Sequence, residues 1–148
     1  MNWKMFVAGA LALAVIGVLT PSLTFAEVRI SGDPGGEVGA YVHKYQEIRD
    51  SGQRIVIDGP CLSACTLLTG IVPRNRVCVT NRAVLGFHAA SYYDDTSREL
   101  VPTRAGSRLV MHMYPPEIRH WIERHGGLTP HMIRLSGSQL AAMYQTCR

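Results

Sequence analysis

Beyond its first 26 residues this chain of 148 has no long hydrophobic run, so nothing from Glu27 onward is apolar enough to span a bilayer as a helix. Lysine is almost absent: 13 of the 15 basic residues are arginine. The arginines are scattered (Arg29, Arg49, Arg54, Arg74, Arg76, Arg82 and onward) and form no stripe interleaved with aromatics, which argues against nucleic acid as a partner. The one local cluster, Arg74-Asn75-Arg76, reads as a solvated turn. There is no internal repeat and no low-complexity segment. A metal-ligand pattern is missing too. The cysteine spacings match no common zinc site, and His120 and His125 are five apart, not the four that puts two ligands on one helix face. No metal and no cofactor is expected.

What is present begins with a leader. Lys4 supplies a charged start, Met5–Leu19 is almost wholly apolar, Pro21 breaks the run, and Thr24-Phe25-Ala26 fits a small-x-small cleavage site. Residues 1–26 therefore read as a secretory signal peptide cleaved near Ala26, with an uncleaved anchor as the alternative. The mature chain, residues 27–148, is the right size for one domain in the periplasm or outside the cell. Its four cysteines, Cys61, Cys65, Cys78 and Cys147, then read as two disulfides.

The first ninety residues alternate strands and helices. Glu27–Ser31 is a strand, Gly32-Asp33-Pro34-Gly35-Gly36 a tight turn, and Glu37–Asp50 a helix whose apolar face is Val38, Tyr41, Val42, Tyr45 and Ile48. Arg54–Asp58, Arg76–Thr80 and Ala83–His88 are further strands, with a buried helix over Ser63–Thr69. Such alternation implies an α/β fold with parallel pairing. Ala89–Arg108 reads as a polar loop, Glu117–Arg124 as a helix, and Thr129-Pro130 as the capped start of another through Leu135. Ser138–Tyr144 is a last helical turn or two.

Two polar residues stand against small, apolar surroundings: Ser63 in Gly59-Pro60-Cys61-Leu62-Ser63-Ala64-Cys65, and His88 at the end of Val84-Leu85-Gly86-Phe87. A serine hydroxyl needs a neighbouring base and backbone donors for the developing oxyanion. A strand-to-helix turn at Ser63 would offer the Ala64 amide, and the Asp33–Gly36 turn could bring a second.

The runs Asp33-Pro34-Gly35-Gly36-Glu37-Val38, Cys61-Leu62-Ser63-Ala64-Cys65 and Gly86-Phe87-His88 together resemble the Clp protease proteolytic subunit and its crotonase-like superfamily, most closely an exported bacterial branch. The resemblance covers Glu27 to about Ala90. It implies a small, trimmed crotonase-like β-superhelix of ββα units. It also implies Ser63 as nucleophile, His88 as general base, and the Gly35 and Ala64 amides as the oxyanion hole. The family's catalytic Asp follows its His by some 50 residues. Here that region reads Leu135-Ser136-Gly137-Ser138-Gln139, without a carboxylate, and the Asp residues after His88 are Asp94 and Asp95. These two are the candidates for orienting His88.

Of the three cysteine pairings, a helix packed back along its next strand favours Cys65–Cys78, leaving Cys61–Cys147 to pin the C-terminus over the Ser63 turn. The sequence supports a periplasmic serine hydrolase acting on a peptide or acyl ester through a Ser63–His88 dyad or incomplete triad. The alternative is a catalytically silent binding or assembly module of the same fold. Acyl-thioester chemistry of the crotonase type ranks below both, because no Glu lies near Ser63 or His88. Self-assembly is left open.

Overall fold

The protein is described by a computed structural model over residues 26–147. The expected leader, apart from Ala26, lies outside the described residues. No helix within them is long and apolar enough to cross a membrane.

In chain order the elements are β1 (Glu27–Ile30), α1 (Val38–Asp50), β2 (Arg54–Ile57) and β3 (Pro60–Leu62), then a 3-10 turn over Ser63–Leu67 that continues as α2 (Leu68–Ile71). There follow β4 (Val77–Val79), β5 (Val84–Phe87), β6 (Ser91–Asp94), β7 (Glu99–Pro102), α3 (Arg104–Met113), α4 (Pro116–Arg124), β8 (Ile133–Ser136), α5 (Gly137–Ala141) and β9 (Gln145–Thr146).

The strands form a mixed α/β arrangement. One sheet is all parallel, in the order β1-β2-β4-β9. A second has the order β3-β5-β8, with β3 parallel and β8 antiparallel to β5. β6 and β7 make a separate antiparallel hairpin. A bridge from Asp33 to Cys61 extends the second sheet, so Asp33, β3 and β5 stand side by side in the order of the strands that precede them, β1, β2 and β4. Three strands of the first sheet, β1, β2 and β4, thus hand the chain to the second. Asp58 pins that corner: its carboxylate accepts from Thr80 Oγ1 at 2.8 Å, from Arg29 Nη1 at 3.0 Å, and from Arg82.

Burial follows the sequence. Apart from the exposed Arg54 at its start, β2, like β4, is apolar and covered on both faces, as central parallel strands are. α1 is capped by Glu37, which accepts from the amides of Gly39 and Ala40, and it turns Tyr45 and Ile48 into the core. α4 starts with Pro116 in its first turn and buries Ile118, Trp121 and Ile122.

Two expectations are corrected. Ala89–Arg108 is not a loop, since it holds the β6–β7 hairpin and the first turn of α3. The segment expected to be a helix through Leu135 is instead β8, paired with β5 in the register Leu85–Leu135 and Phe87–Ile133. The Thr129 hydroxyl closes a local turn, donating to the His131 carbonyl and accepting from the His131 amide, and it caps no helix.

Candidate active site

The nucleophile candidate sits where β3 stops. Leu62 is extended, but Ser63 has φ +55°, one of two described non-glycine residues on the left-handed side. For a side-chain-bearing residue that conformation costs about 1–3 kcal/mol and persists only where the surroundings enforce it. Here they do. Cys61 and Cys65, both fully buried, are joined by a disulfide that closes a ring across Ser63. The Thr66 hydroxyl donates to the Ser63 carbonyl at 2.6 Å. Having spent its one proton there, Thr66 Oγ1 accepts from Tyr114 Oη at 2.7 Å. Burial pushes the Tyr114 phenol up to about 12, against the opposing effect of its bond to Thr66, so it stays a donor.

His88 follows the last residue of β5. Its Nε2 lies 2.8 Å from Ser63 Oγ, within the reach a general base needs. The chain beyond it is tied down on both sides: the Ala89 amide donates to the Thr129 carbonyl at 2.7 Å, and the Ala90 amide to Ser107 Oγ at 3.0 Å. Phe87 packs edge-on against Tyr114, with ring centroids 5.3 Å apart, so one tyrosine braces both the serine turn and the histidine strand.

The Asp33–Gly36 turn lies directly against Ser63. Asp33 receives and gives backbone bonds with β3, its amide donating to the Pro60 carbonyl and its carbonyl accepting from the Leu62 amide. This brings Gly35, with φ +84°, so close that a Cβ there would stand 2.5 Å from the Leu62 oxygen and 2.6 Å from Ser63 Cβ. Only glycine fits. The Gly35 amide, however, is not turned to the serine. It donates to Asp33 Oδ1 at 2.9 Å, so the donor role expected of it is occupied by an internal carboxylate. Asp33 also accepts from Tyr41 at 2.5 Å and from Lys44 at 3.3 Å. Burial works to raise the Asp33 pKa, but the bonds from Tyr41, Gly35 and Lys44 together outweigh it and hold the carboxyl below its ordinary range. The Ala64 amide lies at the start of the helical turn, where N–H groups lack intrahelical partners.

Among the described residues no carboxylate hydrogen-bonds to His88. Asp94 turns into its own hairpin, accepting from the amides of Thr96 at 3.4 Å and Ser97 at 3.1 Å. Asp95 is exposed in the same turn. Neither hydrogen-bonds to His88 in this structure; both belong to the β6–β7 hairpin. The strands that flank β5 bring no acid either: β3 presents Pro60, Cys61 and Leu62, and β8 presents Ile133, Arg134, Leu135 and Ser136.

The disulfide expectation is corrected as well. Cys61 pairs with Cys65, with Cα atoms 5.3 Å apart, and Cys78 pairs with Cys147 at 5.0 Å. The positive φ at Ser63 folds the chain back on itself, which brings Cys65 to Cys61 and away from β4. β9 adds to the free side of β4, with Cys78 opposite Gln145, and so delivers Cys147 to Cys78. No group of three or more His, Cys, Asp or Glu among the described residues could hold a metal ion.

No protein-family model matches the chain, and no curated protein sequence does. Among solved structures, a point mutant of ClpP1 from Listeria monocytogenes is similar at 13% identity and a TM-score of 0.46, covering 79% of this chain and 68% of that one.

The immediate cleft at the pair, lined by Val38, Ala64, Leu67, Ala89, Val110 and Tyr114, has a volume of only about 20 Å³. It holds little more than the reacting atoms. Any larger part of a substrate must lie beyond it.

Proposed function

We propose that the protein is a serine hydrolase of peptidase or esterase type, with Ser63 as nucleophile and His88 as general base. The observation that carries the reading is the 2.8 Å bond from His88 Nε2 to Ser63 Oγ, made by a serine held in a strained turn at the start of a helix. For Nε2 to accept the hydroxyl proton, Nδ1 carries the imidazole proton.

The reaction runs in two balanced halves. As His88 Nε2 takes the proton, Ser63 Oγ bonds to the substrate carbonyl carbon and the carbonyl π electrons move to oxygen. The Ala64 amide is placed to donate to that oxyanion. On collapse the bond to the leaving group breaks, and His88 returns the proton to the departing amine or alcohol. Water then attacks the acyl-serine with His88 again as base, releasing the acid and restoring Ser63. Without a carboxylate to fix the imidazole, the rate falls short of a full triad by up to ~10⁴-fold.

In this reading the fold is a small, trimmed crotonase-like superhelix, supported by the order of the Asp33–Gly36 turn, the Ser63 turn and His88, and by the way β1, β2 and β4 of the first sheet pass into the second. The leader motif in residues 1–26 supports export to the periplasm or the exterior, a setting in which both disulfides would persist.

A second reading has one observation in its favour: no carboxylate among the described residues bonds His88. In that reading the same cleft binds a peptide or assembles with other copies without turnover. Pre-steady-state hydrolysis of p-nitrophenyl acetate separates the two. A burst of nitrophenol close to one per protein, lost in Ser63→Ala and slowed at least 100-fold in His88→Ala, supports the hydrolase. A burst unaffected by Ser63→Ala overturns it.

A further inference from the structure

A groove of about 550 Å³ opens beside the catalytic pair and shares Ala89, the residue after His88, with its cleft. The volume is within the range of sites that hold small ligands or peptide side chains. Its walls are largely apolar, with Pro102, Met111 and Leu128 contributing. α3 forms one side and is fixed next to His88 by the bond from the Ala90 amide to Ser107 Oγ.

The hydroxyls at the rim are engaged internally. Ser107 Oγ also donates to the Thr103 carbonyl at 2.8 Å, and Thr129 is bonded to His131. The polar groups left over are Arg104 and Arg108, both exposed. Neither forms a salt bridge among the described residues. Arg104 opens α3, and no acidic residue occupies that first turn. A helix start already carries partial positive charge and ordinarily attracts acids, so a cation there is uncompensated within the chain. The two arginines are four residues apart on one helix face, about 6 Å between Cβ atoms. Side chains two apart on an extended peptide are spaced by about 7 Å.

We propose that this groove binds the substrate segment adjoining the scissile bond, and that it selects an extended peptide in which apolar residues alternate with acidic ones. Apolar side chains enter the groove beside Met111 and Leu128, and successive carboxylates meet Arg104 and Arg108. The spacing favours a peptide over a fatty acid, which brings one carboxylate. The proposal deepens the hydrolase reading and rests on it for the word substrate, but binding is measurable without turnover.

The test uses the Ser63→Ala protein and two dye-labelled peptides, Gly-Glu-Leu-Glu-Leu-Gly and Gly-Gln-Leu-Gln-Leu-Gly, followed by fluorescence polarisation at low salt. The acidic peptide is expected to bind about fivefold tighter, the size of two exposed charge contacts, with the preference shrinking at high salt. Arg104→Ala with Arg108→Ala should abolish the preference, and Arg104→Lys with Arg108→Lys should keep most of it. Both positions are exposed, and circular dichroism checks the fold. Equal affinity for the two peptides, absence of binding, or a preference indifferent to the arginines overturns the proposal. So does displacement of the peptide by dodecanoate at concentrations below the peptide's own Kd. Labelling of wild-type Ser63 by a fluorophosphonate is scored separately. Failure there removes the hydrolase reading and leaves the binding result standing.

Discussion

Tyr114 Oη lies 2.7 Å from Thr66 Oγ1, and through that hydroxyl it fixes the carbonyl of Ser63. The same ring packs on Phe87, the residue before His88. Ser63 and His88 come from different segments, and a single buried side chain braces both. Tyr114→Phe keeps the ring and removes the donor to Thr66. It should cost about 1 kcal/mol of stability, the net worth of one hydrogen bond, and should slow acylation of Ser63 with little change in probe binding. Chemical denaturation and labelling kinetics measure the two effects.

The left-handed backbone at Ser63 gives a prediction that runs against habit. Ser63→Ala and Ser63→Gly both remove the hydroxyl and its bond to His88, but only glycine relieves the conformational cost. Ser63→Gly should therefore be more stable than Ser63→Ala by about 1 kcal/mol, read as the difference between two thermal melts. Equal melting temperatures would mean that the turn is unstrained.

Gly35→Ala should be severe. The added methyl meets the Leu62 oxygen, Ser63 Cβ and the Ala64 nitrogen, all part of the serine turn, at a residue whose φ is +84°. A loss of about 2 kcal/mol or more is expected, together with loss of labelling in whatever fraction stays folded. Gly32→Ala, where nothing stands within 4 Å of the added atom, is the matched control.

Stability should fall at both ends of the pH scale. Asp33 and Asp58 have folded pKa values below their ordinary 3.8, so the unfolded chain binds their protons first. Their contribution is complete above pH 3.8 and is lost as pH drops through the folded values. Tyr41, Tyr114 and Tyr144 are raised to about 12, in each case chiefly by burial. Their contribution is complete below pH 10 and is lost as pH rises through about 12. Urea titrations across pH should show both limbs. Asp33→Asn should flatten the acid limb, and Tyr114→Phe the alkaline one.

A tryptic map without reduction tests the cysteine pairing. Cys61 and Cys65 fall within one peptide, Ile55–Arg74, while Val77–Arg82 should be joined to Leu135–Arg148 through Cys78 and Cys147. A link between the first two of these three peptides would contradict the pairing. Because the Cys78–Cys147 ring is far larger than the Cys61–Cys65 ring, its removal should cost more stability, about 4 kcal/mol in a chain-entropy account.

How much of this could be read from the sequence varies along the chain. Up to His88 the periodicities were clear, because α1 has an apolar face and β2, β4 and β5 are short apolar runs. The contact between Ser63 and His88 was legible through the family resemblance, which their spacing and the glycines of the Asp33–Gly36 turn carried. β8 was not, since Thr129-Pro130 mimics a helix start. The partial alternation of Ile133-Arg134-Leu135-Ser136, with Leu135 buried, becomes decisive only once β5 is there to pair with it. The β6–β7 hairpin was hidden for a related reason: Tyr92, Tyr93 and Leu100 are exposed, so no inside–outside pattern marks the strands. The Cys61–Cys65 pairing depended on a dihedral angle at Ser63 and the Cys78–Cys147 pairing on β9 joining β4, neither of which composition encodes.

The most direct test of the account is fluorophosphonate labelling of the disulfide-bonded protein, with the adduct located by mass spectrometry. The account predicts one adduct, on Ser63 within Ile55–Arg74, absent in Ser63→Ala and formed at least 100-fold more slowly in His88→Ala. Absence of any adduct on protein with both disulfides intact, or an adduct at another residue that persists in Ser63→Ala, would contradict it.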